Sequence, residues 1–271
     1  MRGWTLEDIP WRAFDPAKVD PVLLQAVKAA ALVEHNATDY KTYLHNVFHD
    51  DPEFQAATEA WSREEIQHGL ALGRWAEMAD PEFDFQASFR RFSEGYRLPL
   101  DLSDSVRGSR GGEMVARCVV EAGTSSFYSA IHDATDEPVL KEIARLIAAD
   151  EFRHYKLFYV TLRKYLEREP MGSWRRSWVV LRRLLEKDDD ELAYAYYSAN
   201  LGAEAYDRRQ CSRAYEARAC QVFRFDHLRR GLAMVMKAAG LRPRGLLGRV
   251  LGQGLWLYLG FRRRQLRQLS T

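Results

Sequence analysis

Glu65-Ile66-Gln67-His68 and Glu151-Phe152-Arg153-His154 are two copies of Glu-x-x-His, and each lies inside a long stretch whose apolar residues recur at helical spacing. Each copy follows another acid, Glu64 in the first and Asp150 in the second. Each also has a lone glutamate thirty or thirty-one residues upstream, Glu34 for the first and Glu121 for the second. The order Glu, Glu-x-x-His, Glu, Glu-x-x-His is the ligand set of a four-helix bundle that holds two metal ions. The chain is therefore expected to be all-α, with Glu34, Glu65, His68, Glu121, Glu151 and His154 as metal ligands.

Helix geometry explains the spacing. Residues i and i+3 differ by roughly 60° in azimuth and about 4.5 Å in rise, so they share a face. A carboxylate and an imidazole placed that way can bind one ion, or share a pair, without backbone strain. Four carboxylates nearly balance two divalent ions, which makes burying that much charge tolerable. Oxygen and nitrogen donors suit iron or manganese, and the expected cofactor is a pair of iron ions, with manganese or a mixed pair as the alternative. A lone Glu-x-x-His on a helix is usually a solvated face. Two copies, each with a preceding acid and a matched upstream glutamate, are not explained that way.

Composition narrows the classes. With 271 residues the chain can form one sizeable helical domain or two small ones. The net charge is +2, so overall charge points to no partner, and no nucleic-acid partner is expected. The three cysteines, Cys118, Cys211 and Cys220, form no CxxC pair, which argues against a structural zinc or iron–sulfur site. They read as free thiols in a reducing, cytoplasmic compartment. Reducing electrons would then have to come from a separate protein. The first twenty residues carry acids and no apolar core, so they resemble neither a signal nor a transit peptide. No run of about twenty apolar residues suggests a spanning helix.

Along the chain, residues 1–20 read as an irregular lead-in in which Trp4 and Trp11 can pack on the body. Residues 21–168 read as the bundle. A first helix is expected from Pro21 to about His49 with Glu34 near its middle, and a second from Pro52 to about Ala79. Residues 81–111, with Gly95, Pro99 and Gly108, read as a long crossover with short helical pieces. Helices from about Gly112 to Asp133 and from Pro138 to about Arg168 complete the set. A crossover between two helix pairs is the mark of a ferritin-like antiparallel bundle. Residues 169–240 read as additional buttressing helices. Residues 241–271 form a basic tail: after Asp226 there is no acid, while arginines accumulate around the apolar segment Val250–Phe261. That tail suits peripheral contact with an anionic membrane, docking to an acidic protein, or a strap packed on the bundle.

Around the predicted ligands the sequence resembles the soluble acyl-acyl-carrier-protein desaturases. Three blocks carry the likeness: Glu34-His35-Asn36-Ala37-Thr38-Asp39-Tyr40-Lys41-Thr42, Trp61-Ser62-Arg63-Glu64-Glu65-Ile66-Gln67-His68-Gly69, and Ala148-Ala149-Asp150-Glu151-Phe152-Arg153-His154. Glu121-Ala122-Gly123-Thr124 is similar to that family's third-helix motif. The likeness spans residues 21–168 and does not extend past 170. It implies a di-iron homodimer that takes acyl chains on acyl carrier protein. With dioxygen and two electrons from a ferredoxin-type donor, such an enzyme removes two hydrogens. By the family pattern Glu34 and His68 hold one iron, Glu121 and His154 the other, and Glu65 and Glu151 bridge them.

Glu64 and Asp150 each lie four residues before the histidine of their motif. A metal-bound imidazole usually donates its other N–H to a carboxylate. The two-fold repeat suggests a crossed pairing, Asp150 with His68 and Glu64 with His154; pairing within each helix is the alternative. Thr124, one turn beyond Glu121, can deliver protons at the site or simply bond back to the carbonyl four residues earlier. Phe127 and Tyr128 can line an acyl tunnel or serve as plain core. Trp61 can belong to an electron path and Cys118 can approach the site, but packing is the expected role of both, and His35, His45, His49 and His132 read as surface or core histidines. Hydroxylation or N-oxygenation of a small or carrier-bound substrate is the first competing activity. Iron storage or peroxide handling of the ferritin or rubrerythrin kind is the second. A radical-generating reductase subunit is disfavoured, because Leu72 stands four residues after His68.

Overall fold

The computed structural model describes residues 3–98, 100–185 and 190–268, so Pro99 of the expected crossover lies outside the described residues. Among the described residues every regular element is helical. Three single 3-10 turns between Leu6 and Lys18 lead into α1 (Pro21–His35), α2 (Ala37–Val47), α3 (Pro52–Ala79), α4 (Phe85–Gly95), α5 (Arg110–Ala134) and α6 (Pro138–Arg168). There follow α7 (Ser173–Leu185), α8 (Asp190–Asn200), α9 (Arg208–Val222), α10 (Phe225–Ala238) and α11 (Leu246–Gln268).

The starts of these helices are written in the sequence. Asp20, Asp51 and Glu137 each accept backbone N–H groups of the following turn, and each precedes a proline at the first helical position. Asp84, Ser109 and Asp207 cap their helices in the same way without the proline. Each such cap is worth about 1 kcal/mol. The expected single helix from Pro21 to His49 is divided. Asn36 has φ −78° and ψ 10°, and its N–H turns back to Val33 O, which separates α1 from α2. Asn competes with the helical backbone for hydrogen bonds, so it is a natural breaking point. Glu34 accordingly sits in the last turn of α1, next to the break, rather than in the middle of a long helix.

Side-chain pairs give the packing of the long helices. Between α2 and α3, Lys41 pairs with Glu59 and His45 with the Gln55 carbonyl, while nearer the end of α1, His35 meets the Ile66 carbonyl. Between α3 and α6, Lys164 pairs with Glu53 and Trp75 donates to Glu137. Between α5 and α6, the Arg110 guanidinium lies over Tyr165 and Thr124 meets Glu151. Between α5 and the first two helices, Tyr43 meets Glu113 and Tyr128 meets Glu34. In every pair the numbers rise along one helix as they fall along its neighbour, so all four adjacent helices run antiparallel. Between α3 and α5 in the chain, α4 packs against α8 and α1.

Close approach of α1 and α3 depends on one glycine. A Cβ on Gly69 would meet the His35 backbone nitrogen at 2.7 Å and the Ala31 carbonyl oxygen at 2.8 Å. This brings Glu34, one residue before His35, against the helix that bears Glu65 and His68. Two apolar clusters then flank the middle of the bundle. One contains Leu32, Leu72, Trp75, Tyr128 and Ile143, and the other contains Phe48, Phe54, Trp61, Met114 and Phe158. α8 and α9 lie against α1, and α7 and α10 against α5, while α11 runs over α9 and α10. No helix among the described residues is long and apolar enough to cross a membrane.

Candidate metal centre

Midway between the two apolar clusters the interior turns polar. Glu34 from α1, Glu65 and His68 from α3, Glu121 from α5, and Glu151 and His154 from α6 meet there, none more than 7% exposed. They form two groups whose donor atoms lie within 4.8 Å of one another. One is Glu34, Glu65, His68 and Glu151; the other is Glu65, Glu121, Glu151 and His154. Glu65 and Glu151 belong to both, so the two groups abut. These buried groups could hold metal ions.

The histidines are held from behind. His68 Nε2 lies 3.1 Å from Asp150 Oδ2, and His154 Nε2 lies 2.8 Å from Glu64 Oε2. The pairing thus crosses between α3 and α6 rather than staying within either helix. With Nε2 engaged, each ring turns Nδ1 toward the carboxylates. His68 Nδ1 is 3.3 Å from Glu151 Oε1, and His154 Nδ1 is 2.9 Å from Glu65 Oε1. Neither approach is directed well enough to be a hydrogen bond. His68 Nδ1, His154 Nδ1 and Glu151 Oε1 are all buried without a hydrogen-bond partner. Buried polar atoms are nearly always satisfied, so three orphans facing one point mark a place for a missing group, one that takes up lone pairs once the rings give up their Nδ1 protons. A pair of cations fits that donor set.

The charge state of the metal-free cluster follows from the same geometry. Burial, reinforced by the neighbouring Glu65, holds Glu34 well above the usual carboxylate range. Burial, reinforced by Glu151 and Glu65, does the same to Glu121. Burial also acts on Glu65, but hydrogen bonds from Glu34 and the His154 charge outweigh it and leave that carboxyl well below the usual range. Burial alone would lower the histidines. The carboxylates reverse this: Asp150 and Glu151 lead in raising His68 well above its ordinary value, and Glu65 and Glu64 lead in raising His154 to about 10. The hydrogen bond with His154 and the His154 charge hold Glu64 below its ordinary range despite burial. Two imidazolium ions thus stand in for metal charge.

Other residues at the site carried weaker sequence signals. Thr124 Oγ1 lies 2.5 Å from Glu151 Oε2, and also 3.3 Å from the Val120 and Glu121 carbonyl oxygens. Both expected partners are therefore within its reach. Tyr128 donates to Glu34 Oε1 at 2.5 Å; it stands seven residues after Glu121, on the same helix face, and that spacing could have placed it. Trp4 donates to Asp150 Oδ2 at 2.8 Å, and its ring stacks on His68 with centroids 5.9 Å apart. Nothing in the irregular N-terminal segment signalled this contact. Arg153, the arginine of the third block, bridges Asp150 and Glu64. Trp61 packs edge-on against Phe158 and His154, and burial pushes the Cys118 thiol up, as suits a small apolar residue. His35 packs on Phe85 and Phe89, His132 lies beside Asp133, and His49 is exposed. These histidines, with His45, stay outside both ligand groups.

A cavity of about 70 Å³ opens onto the cluster from the α5 side, lined among others by Tyr40, Arg117, Glu121, Thr124, Glu151 and Arg183. Fold and site together define a helical protein with a buried carboxylate–histidine cluster able to hold metal. No protein-family model matches the chain, and no curated protein matches it.

Proposed function

We propose that the chain is a ferritin-like, non-haem di-iron oxidoreductase that uses dioxygen, and that its reaction is desaturation of an acyl chain held on acyl carrier protein. One observation carries the di-iron part: two buried imidazole Nδ1 atoms without partners face four buried carboxylates in two groups that share Glu65 and Glu151. Glu34 and His68 would hold one ion, Glu121 and His154 the other, and Glu65 and Glu151 both. When bound, an iron pair supplies reductive activation of dioxygen, which allows oxidation of an unactivated C–H bond. Asp150 and Glu64 fix the two rings and their Nδ1 lone pairs. Thr124 lines the cavity beside Glu151, where its hydroxyl can pass a proton to or from that carboxylate. Electrons from a ferredoxin-type donor have a short hydrogen-bonded route inward, from half-buried Trp4 through Asp150 to His68. The acyl substrate and its carrier rest on the resemblance of the ligand blocks.

Cavity size favours a second reading of the substrate. Sites for drug-sized ligands run to about 300–1,000 Å³, against about 70 Å³ here. So small a space favours a small molecule, hydroxylated or N-oxygenated, whereas a long acyl chain requires the α7–α8 side of the cavity to open. Anaerobic loading with ferrous iron, exposure to dioxygen, and mass spectrometry of the product separate the two. Loss of two hydrogens from an acyl-carrier substrate supports desaturation, and gain of oxygen on a small substrate supports the second reading. Fewer than two irons bound per chain, or unchanged binding by His68→Ala and His154→Ala, would sink the di-iron reading itself.

A further inference from the structure

Away from the metal cluster, two helices leave apolar faces bare. In α7, Trp174, Trp178, Leu181 and Leu185 fall at i, i+4, i+7 and i+11, one stripe of a helix, and are 83%, 56%, 43% and 63% exposed. The opposite side of α7 is anchored: Val180 is buried in the cluster that holds Met114 and Cys118. In α11, Leu246, Leu247, Val250 and Leu257 are 79%, 49%, 59% and 71% exposed. The two helices begin at the same corner. Ser173 at the head of α7 bonds the Gly240 carbonyl, Arg176 bonds the Ala238 carbonyl, and Leu246 begins α11 six residues beyond Gly240.

Charge tells what covers this surface. From Pro170 to Leu185, and from His227 to the end, the chain carries arginines and one lysine, Lys237, but no acid. Arg175, Arg182, Arg242, Arg244 and Arg249 are exposed and make no ion pair among the described residues. Such a surface cannot readily face a second copy of itself, because two-fold pairing would set these arginines against their own counterparts. Exposed tryptophan and leucine flanked by arginine is the composition of a helix that lies in the headgroup layer of a bilayer. We infer that α7 and the first half of α11 dock the protein on an anionic phospholipid surface. The tryptophans and leucines enter the acyl boundary, and the arginines meet lipid phosphates. The acids Glu186, Asp188 and Asp189 follow α7 in sequence and lie outside the described residues.

Co-sedimentation of the full chain with phosphatidylglycerol-containing phosphatidylcholine vesicles tests this, with pure phosphatidylcholine vesicles as the comparison. The chain should pellet with the anionic vesicles only, and salt should release it. Arg242→Glu with Arg244→Glu and Arg249→Glu should weaken partition on the order of a hundredfold. Brominated lipid should quench tryptophan emission in the native chain and much less in Trp174→Ser with Trp178→Ser. All five positions are solvent-facing, and thermal melts check that the variants fold. Three results would overturn the inference. One is failure to bind anionic vesicles, and another is undiminished partition of the arginine variant. The third is capture of an acidic carrier protein by this face without vesicle binding.

Discussion

Metal loading should expel protons, and the count can be worked from the site. At pH 7 His154, raised to about 10 by Glu65 and Glu64, carries a proton on each ring nitrogen. His68, raised well above its ordinary value by Asp150 and Glu151, does the same. Nε2 is spoken for, so an ion can bind only where Nδ1 has lost its proton. For His154 the gap between pH 7 and about 10 costs about a thousandfold in apparent affinity, roughly 4 kcal/mol. Glu34 and Glu121, both held high by burial, add protons of their own. Two metal ions should therefore release at least two protons. The overall binding constant should rise about a hundredfold or more per pH unit until the histidines titrate. The metal-free fold runs the other way. A histidine raised from 6.5 to about 10 stabilises the folded chain fully below pH 6.5, and that contribution fades as pH climbs toward 10. Calorimetric titration with manganous ion, in buffers of different ionisation heat and at several pH values, measures the proton count directly. Release of less than one proton, or affinity flat with pH, would refute the reasoning.

Gly69→Ala places a methyl group against the α1 backbone at 2.7–2.8 Å and should cost about 1–3 kcal/mol in urea unfolding; a cost below half of that would mean α1 and α3 separate easily. Tyr128→Phe removes the proton donated to Glu34 and should weaken metal binding about tenfold, with stability changed by only about 1 kcal/mol. Trp4→Phe deletes the hydrogen bond to Asp150; both ions should stay bound while reduction by an external donor slows in stopped-flow traces, and an unchanged rate would remove Trp4 from the electron route.

The repeated Glu-x-x-His made the centre legible because helical spacing converts sequence distance directly into shared faces. Prolines after capping acids marked the starts of α1, α3 and α6 for the same local reason. Less legible were features set by contacts between distant segments. The break at Asn36 falls where α1 and α2 must both lie along α3. Trp4 reaches Asp150 across 146 residues from a segment with no periodicity. Beyond residue 170 the sequence showed helices and a basic tail, but not that α7 and α11 each leave an apolar stripe bare, because exposure is a property of the assembled surface. The apolar pattern of α7 alone reads equally well as a buried face.

The centre and the packing around it make opposite demands. Six ionisable groups in the middle of a bundle stabilise nothing by themselves, since desolvating each one costs several kcal/mol and apolar residues of similar volume would serve the fold as well or better. Without metal, the cluster is tolerable because it holds its own protons: burial keeps Glu34 and Glu121 well above the usual carboxylate range, and both histidines are charged against their carboxylates. That arrangement still leaves three buried atoms unsatisfied. Asp150, Glu64, Arg153, Tyr128 and Trp4 go further and fix the orientation of groups that folding does not need. A local breach of the packing rules, surrounded by residues that hold it in one geometry, is what a functional site requires. The same reasoning separates this cluster from the exposed acid–base pairs elsewhere. Arg145 with Glu142, for example, meets on an exposed helix face, where no interior geometry is enforced and the pair contributes little.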